Sequence, residues 1–261
     1  MGALVLRVPF ALPWGIGVLQ VTGHGHTCAM KAVAGDAQVC RRVATRVLAI
    51  DRNISGLHAL ATGRWQWIAD MGMGRFLRSP SLFEDCAKAL FATNTGFART
   101  VKMAKAAAAL GDPVGDMRAF PGPERLISMS ETEIKMQTGC GFRARYLLNL
   151  CKRALEVPQI YLDDGWCVLS GEELGTELRQ LLGFGPASVE YLTRMYRPTC
   201  TFHFDSWVVR RCEQLWGVEE GNMVDFARHR YGRFGEMAST VMWLELTRYW
   251  HETNGLYHVA G

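Results

Sequence analysis

The sequence predicts a mostly helical protein with a small N-terminal α+β domain that contains an antiparallel sheet. Three observations carry the prediction. Short β-branched runs separated by Gly-rich turns fill the first seventy-odd residues, as strands require. From Ser81 onward apolar residues recur with helical periodicity, and capping residues and breakers punctuate the pattern. Finally, 49% of the 261 residues are hydrophobic and 21% charged, enough to bury one large core or two smaller ones.

The runs ALVLRV, GVLQVTG, HTCAMKAV and QVCRRVATRVLAI supply the strands. The first twenty residues are apolar, but Pro9 and Pro13 interrupt them and no charged segment precedes them. They are expected to form a strand and a turn rather than an export signal. A domain of residues 1–80 and a helical region of residues 81–261 follow from the change of pattern.

SLFEDCAKALFA opens the helical region on a Ser cap with Glu84 three residues later. FARTVKMAKAAAAL runs until Gly111 and Pro113 stop it. GPERLISM places Pro123 at a helix start, and SETEIKMQTG begins at a Ser cap and ends at Gly139. FRARYLLNLCKRALE is amphipathic, with Tyr146, Leu147, Leu150 and Leu155 expected toward a core. ELGTELRQLL leads into LLGFGPAS, and three more helical segments follow: SWVVRRCEQLWG, MVDFARHRYG and EMASTVMWLELTRYWHE.

Lys plus Arg exceed Asp plus Glu by 29 to 25, a net charge of +4. This mild basicity is compatible with a polyanionic partner without establishing one. Eight cysteines lack any CxxC pair or zinc spacing, so a reducing compartment and no metal site are expected. No apolar run reaches the roughly eighteen residues of a membrane span. His24, His26 and His203 are isolated near turns and are read as structural or solvated.

In LLGFGPAS, Gly183 and Gly185 can leave backbone N–H groups uncovered, and Pro186 then starts a helix whose first amides point outward. Gly183, Phe184, Gly185, Pro186, Ala187 and Ser188 together form either a phosphate cradle or a plain helix corner bent by glycine. Asp205 follows one helix later in HFDSWVV, where it is either the N-cap of the next helix or a catalytic carboxylate.

Helix, LxGxGxxxA/S, helix and then Asp before another helix resembles the helix-hairpin-helix (HhH-GPD) DNA glycosylase superfamily. SLFEDCAKALFATNTGFARTVKMA and GCGFRARYLLNLCKRALE are similar to helices of 8-oxoguanine glycosylases, while VPFALPWGIGVLQ and FPGPERLISM are similar to bacterial 3-methyladenine glycosylases. The resemblance spans most of the chain and is strongest over 81–212. It implies helical HhH-GPD domains, with the hairpin at 178–196 gripping DNA phosphates and the C-terminal helices packing back. It also implies that Asp205 serves a nucleotide flipped from duplex DNA.

By the same resemblance, bifunctional relatives carry a Schiff-base lysine where this chain has Ala187, so a monofunctional enzyme that leaves an abasic site is expected. Asn94 matches the residue that fills the gap left by the extruded base, Arg99 and Arg143 match the arginines bonding the orphaned partner, and Phe142 matches the aromatic wedge. For the two arginines, the alternative is solvated helix-face charge. Trp243, with Ser239 one turn earlier, matches a base-stacking position or is ordinary core. Gly15, Tyr191 and Trp207 complete the implied base pocket, and Tyr191 replaces a smaller residue of the 8-oxoguanine enzymes.

No iron-sulfur cluster is expected, because no cysteine follows Cys212. The resemblance implies at most a monovalent cation at the hairpin carbonyls. The expected partner is double-stranded DNA, met by a monomer with no membrane attachment, in the cytoplasm at the nucleoid if the source is bacterial. Substrate stays open between an oxidised or alkylated purine opposite cytosine and a bulky modified cytosine, as in viral DNA. Two other readings are a non-catalytic HhH DNA-binding protein and, more weakly because no lysine is expected near the hairpin, a lyase using another amine such as Lys152.

Overall fold

In the computed structural model, residues 4–24 and 27–253 are described; the side chain of His24 and all of His26 lie outside that description. Strands β1 (Leu4–Leu12), β2 (Gly15–His24) and β3 (Thr27–Ala34) form an antiparallel sheet in that order. Leu12 pairs with Gly15 across Pro13 and Trp14, so the first two strands join in a tight turn. Leu19 and Val21 bury one face of the sheet against helix α1 (Ala37–Val47). On the other face Val18 packs on Val114 and Ala119, beside the small hairpin of β4 (Pro113–Val114) and β5 (Met117–Arg118).

Helix α1 corrects the expectation of a strand over QVCRRVATRVLAI. Asp36 caps it, accepting from the Gln38 and Val39 amides, and Val39, Val43 and Val47 recur every fourth residue on the face that meets the sheet. β-branched content had pointed to a strand, but the four-residue spacing and the cap decide for a helix.

The chain then makes α2 (Ser55–Leu60) and α3 (Gln66–Asp70) before α4 (Leu82–Ala92), where the Ser81 hydroxyl accepts from the Glu84 amide at 3.2 Å. Next come α5 (Phe97–Ala108), α6 (Pro123–Ile127) and α7 (Glu131–Thr138). Helix α7 has a full Ser130–Glu133 capping box and ends on Gly139 at φ 68°. Helices α8 (Arg143–Glu156), α9 (Pro158–Tyr161), α10 (Gly171–Arg179) and α11 (Pro186–Tyr196) follow, then α12 (Ser206–Trp216), α13 (Met223–Tyr231) and α14 (Ala238–Thr253). The fold is thus mostly helical with a small N-terminal antiparallel sheet, as the sequence predicts.

In α8 the buried face is Ala144, Leu147, Leu150, Cys151 and Ala154, while Leu155 is 37% exposed, contrary to expectation. Stepping three or four residues from Leu147 reaches Cys151 and Ala154; Leu155, one position further, turns toward water.

Two large cores result. One gathers α4 to α11 around Leu90, Phe91, Leu147, Leu178, Leu192 and Tyr196. The other joins Leu57, Trp65 and Ile68, which precede residue 80, to Val208, Tyr231, Val241 and Leu246 of the C-terminal helices. Helix α11 therefore belongs to one core and α12 to the other, and the segment between them ends on Asp205. Arginines stitch the junction. Arg78 donates to Asp51 and to the Met195 and Tyr196 carbonyls, and Arg52 donates to the Arg194 carbonyl and the Thr240 hydroxyl. Crowding of these cations shows at Arg52, whose pKa falls to about 10 through burial first and then the charges of Arg78, Arg194 and Arg75, opposed by Asp51.

Candidate functional site

Between α10 and α11 the chain turns through Gly183 at φ 88°, a left-handed conformation that glycine adopts without strain. A second constraint acts there, because a Cβ on Gly183 would meet the Tyr146 ring of α8 at 2.4 Å. The Leu182 amide donates to the Asn149 side chain and the Phe184 amide to the Leu181 carbonyl. Helix α11 begins at Gly185 with Pro186 at its first turn and no side-chain cap, and its first backbone bond runs from Val189 to the Gly185 carbonyl. Among the described residues, the amides of Gly183, Gly185, Ala187 and Ser188 thus have no partner. An uncapped N-terminus with several free donors favours an anion. Nothing among the described residues donates to the Leu182, Gly183 and Phe184 carbonyls either, and such an all-oxygen donor set suits a hard monovalent cation.

Asp205 is exposed at the N-terminus of α12, with its Oδ1 accepting from the Trp207 and Val208 amides at 2.9 and 2.8 Å. The capping reading therefore holds. Both bonds use one oxygen, which leaves Oδ2 without a partner among the described residues. Behind it lies a buried charged pair that sequence reasoning missed: Glu190 and Arg194, one turn apart on α11, bonded at 2.7 and 2.9 Å. Burial pushes the Glu190 carboxyl up against the opposing pull of Arg194, and the charge of Asp205 adds to the rise. The Arg194 pKa is lowered, chiefly by burial, with Glu190, Tyr191 and Asp205 opposing. Asp205 is thus near enough to be felt by the hairpin helix.

The guanidinium of Arg194 lies 4.7 Å from the Trp243 ring, and Trp207 packs on Trp243 at 5.5 Å between centroids. Ser239, fully buried, sits near the Glu190 carboxylate without closing a hydrogen bond to it. Asp205, Trp207, Ser239 and Trp243 are therefore brought together with Glu190 and Arg194. Tyr191 borders them. The residue is 42% exposed, and burial first, then the charge of Asp85, push its pKa up. The i,i+4 spacing of Glu190 and Arg194 was visible in the sequence, but it reads there as an ordinary helix-surface pair.

Asn94 adopts φ 47° in the turn between α4 and α5. Arg143 is 4% exposed and donates to the Thr93 and Asn94 carbonyls and to the Cys140 carbonyl, so it pins that turn to the start of α8. Its pKa is lowered by burial and then by the charge of Arg99, an exposed neighbour. Phe142, 49% exposed, stands edge-on to Tyr146 at 5.7 Å. Asn94, Arg99, Phe142 and Arg143 thus share one edge, although Arg143 spends its donors on backbone carbonyls.

Gly15 stands apart from the aromatic cluster, with a Cβ there meeting Val39 of α1 at 2.5 Å, so close packing accounts for this glycine. The expectation that no lysine lies near the hairpin needs correction. Lys88 of α4 is electrostatically coupled to Tyr191 of α11. It donates to Ser79 and pairs with Glu84 at 2.7 Å; burial lowers its pKa, but Glu84 and Asp85 outweigh burial and hold it above the usual value. Among the described residues there is no cluster of three or more metal-ligating side chains, and no helix is long and apolar enough to cross a membrane.

Solved structures place this geometry in context. The 3-methyladenine DNA-glycosylase from Archaeoglobus fulgidus superposes with a TM-score of 0.73 at 19% identity, over 94% of this chain and 88% of that one. The fold is that of DNA glycosylases. This glycosylase fold also matches MBOgg1 in complex with a low-affinity DNA ligand, with a TM-score of 0.71 at 18% identity over 97% of this chain and 100% of that one. The 8-oxoguanine glycosylase/lyase of Clostridium acetobutylicum, bound to double-stranded DNA with cytosine opposite 8-oxoguanine, gives 0.63 at 18% identity over 91% of this chain and 82% of that one. No family model matches the sequence. No curated protein matches it either.

Proposed function

We propose that the protein is a DNA N-glycosylase without lyase activity, acting on a nucleotide flipped from duplex DNA. The observation that carries the reading is the carboxylate of Asp205, with one oxygen held by the α12 amides and the other without a partner among the described residues, at the start of the helix whose Trp207 packs on Trp243. The free amides of the hairpin grip backbone phosphate. Asn94 and Phe142 fill and wedge the stack, and Arg99 faces the orphaned base; Arg143 joins it by exchanging carbonyl partners for base acceptors.

Asp205 Oδ2 faces the anomeric carbon, stabilises the oxocarbenium-like sugar and accepts a proton from the attacking water. The water oxygen bonds to C1′ as the C1′–N bond breaks; the base departs with that electron pair and takes a proton from solvent, to which Asp205 returns the one it accepted. Ala187 offers no amine for strand cleavage, and Lys88, held as a charged ammonium by Glu84, is a poor nucleophile. The Leu182, Gly183 and Phe184 carbonyls would hold a monovalent cation, and the protein acts as an intracellular monomer. Its substrate is an oxidised or alkylated purine opposite cytosine, or a bulky modified cytosine.

Asp205→Asn tests this reading cleanly, because Asn caps a helix as well as Asp does and the substitution removes only the charge. On duplexes carrying a panel of modified bases, base release is expected to fall by at least about a hundredfold while duplex binding persists. Strand breaks should appear only after alkali treatment, and breaks without alkali, or an unchanged release rate in the variant, would overturn the assignment. The role of Asp205 as a cap also fits a non-catalytic DNA-binding protein. That alternative predicts binding with no base release from any duplex of the panel by the wild-type protein.

A further inference from the structure

Phe97, the first residue of α5, is 84% exposed, and its position follows from the structure around it. The turn that precedes α5 is fastened to the start of α8 by the Arg143 bonds to the Thr93 and Asn94 carbonyls. Phe142, half exposed, directly precedes Arg143, and Phe97 lies three residues beyond Asn94. One buried arginine therefore holds two exposed rings, from two loops, at the same edge of the molecule.

The charge around the rings selects the partner. Helix α5 carries Arg99, Lys102 and Lys105 and no acid, and the first turn of α8 adds Arg145. An apolar protein surface offers such a border nothing, whereas a duplex offers phosphates to the cations and the flat face of a base to a ring. We propose that Phe97 is a second DNA wedge, which works with Phe142 to hold open the base step beside the extruded nucleotide. This rests on the reading of duplex DNA as the partner.

The test needs no knowledge of the excised base. A duplex with a tetrahydrofuran abasic analogue, flanked by 2-aminopurine on either strand, reports unstacking as a rise in fluorescence. Wild-type protein is expected to raise the signal and Phe97→Ser to lose most of the rise, with duplex affinity reduced at least tenfold. Phe97→Tyr should restore both. The melting temperature of Phe97→Ser should match that of the wild type, since the ring contributes little to the core. If the wild type binds and unstacks the duplex and Phe97→Ser does so equally, this inference fails while the glycosylase reading stands. If the wild type binds no duplex, both fail. A loss of self-association on sedimentation, with unstacking unchanged, would assign the ring to a contact between copies of the chain and also overturn the proposal.

Discussion

At the scale of single residues, two small side chains fix the site's geometry, one by its absence and one by its reach. Gly183 needs both a positive φ and open space above the Tyr146 ring. Gly183→Ala is therefore expected to lower stability by about 2 kcal/mol or more, from backbone strain plus the forced shift of Tyr146. Thermal melting checks the loss, and weakened duplex binding should accompany it, because the adjacent amides move with the turn. Asp205 shows how far single residues were legible. Its sequence position gave both of its readings, cap and candidate acid, and the structure shows that one oxygen suffices for the cap. Glu190 and Arg194 were not legible, since an i,i+4 pair looks alike on a wet helix face and in a dry one until the packing partners, here Trp243 and Asp205, are known.

At the scale of elements, caps proved the most dependable signals. Ser81 and Ser130 each start a helix where they stand, the second with a full capping box. QVCRRVATRVLAI is helix rather than strand because the Asp36 cap and the valines four apart outweigh its β-branched content. Between elements, Glu177 of α10 takes two bonds of 2.7 Å from Arg153 of α8 and one of 2.9 Å from Tyr161 of α9. The hydrogen bonds from Arg153 hold the Glu177 carboxyl below its usual range, against burial, which raises it. A carboxyl lowered in the folded state contributes stability above its unfolded pKa and loses it as pH falls through the folded one. Glu177→Gln is expected to cost about 3 kcal/mol at neutral pH, and its stability should decline less steeply than that of the wild type as the solution is acidified below about pH 4.5. Denaturant titrations across that range measure both effects.

At the scale of the whole molecule, the mostly helical architecture with its small sheet could be read from periodicity, but the division of the core could not. Leu57, Trp65 and Ile68 lie early in the chain and bury against helices that follow residue 200, a pairing that no local pattern encodes. The two cores meet across Arg52 and Arg78, so their relative placement, and with it that of Asp205 against the hairpin, depends on a few buried guanidinium groups. Arg78→Met would orphan two carbonyls and Asp51 together. The expected loss is about 3 to 5 kcal/mol, a fall in melting temperature on the order of 10 °C, with calorimetry resolving separate transitions for the two cores. A single transition at the wild-type temperature would contradict this. Tyr146 makes a different connection across the molecule. It touches Phe142 at one end and lies directly under Gly183 at the other. One ring thus bridges Phe142 and the Gly183 turn, so on the proposed reading a duplex that tilts Phe142 also shifts the hairpin's hold on phosphate. Under the proposed function, the spacing between a gripped phosphate and an opened base step would be gauged by the width of a phenol.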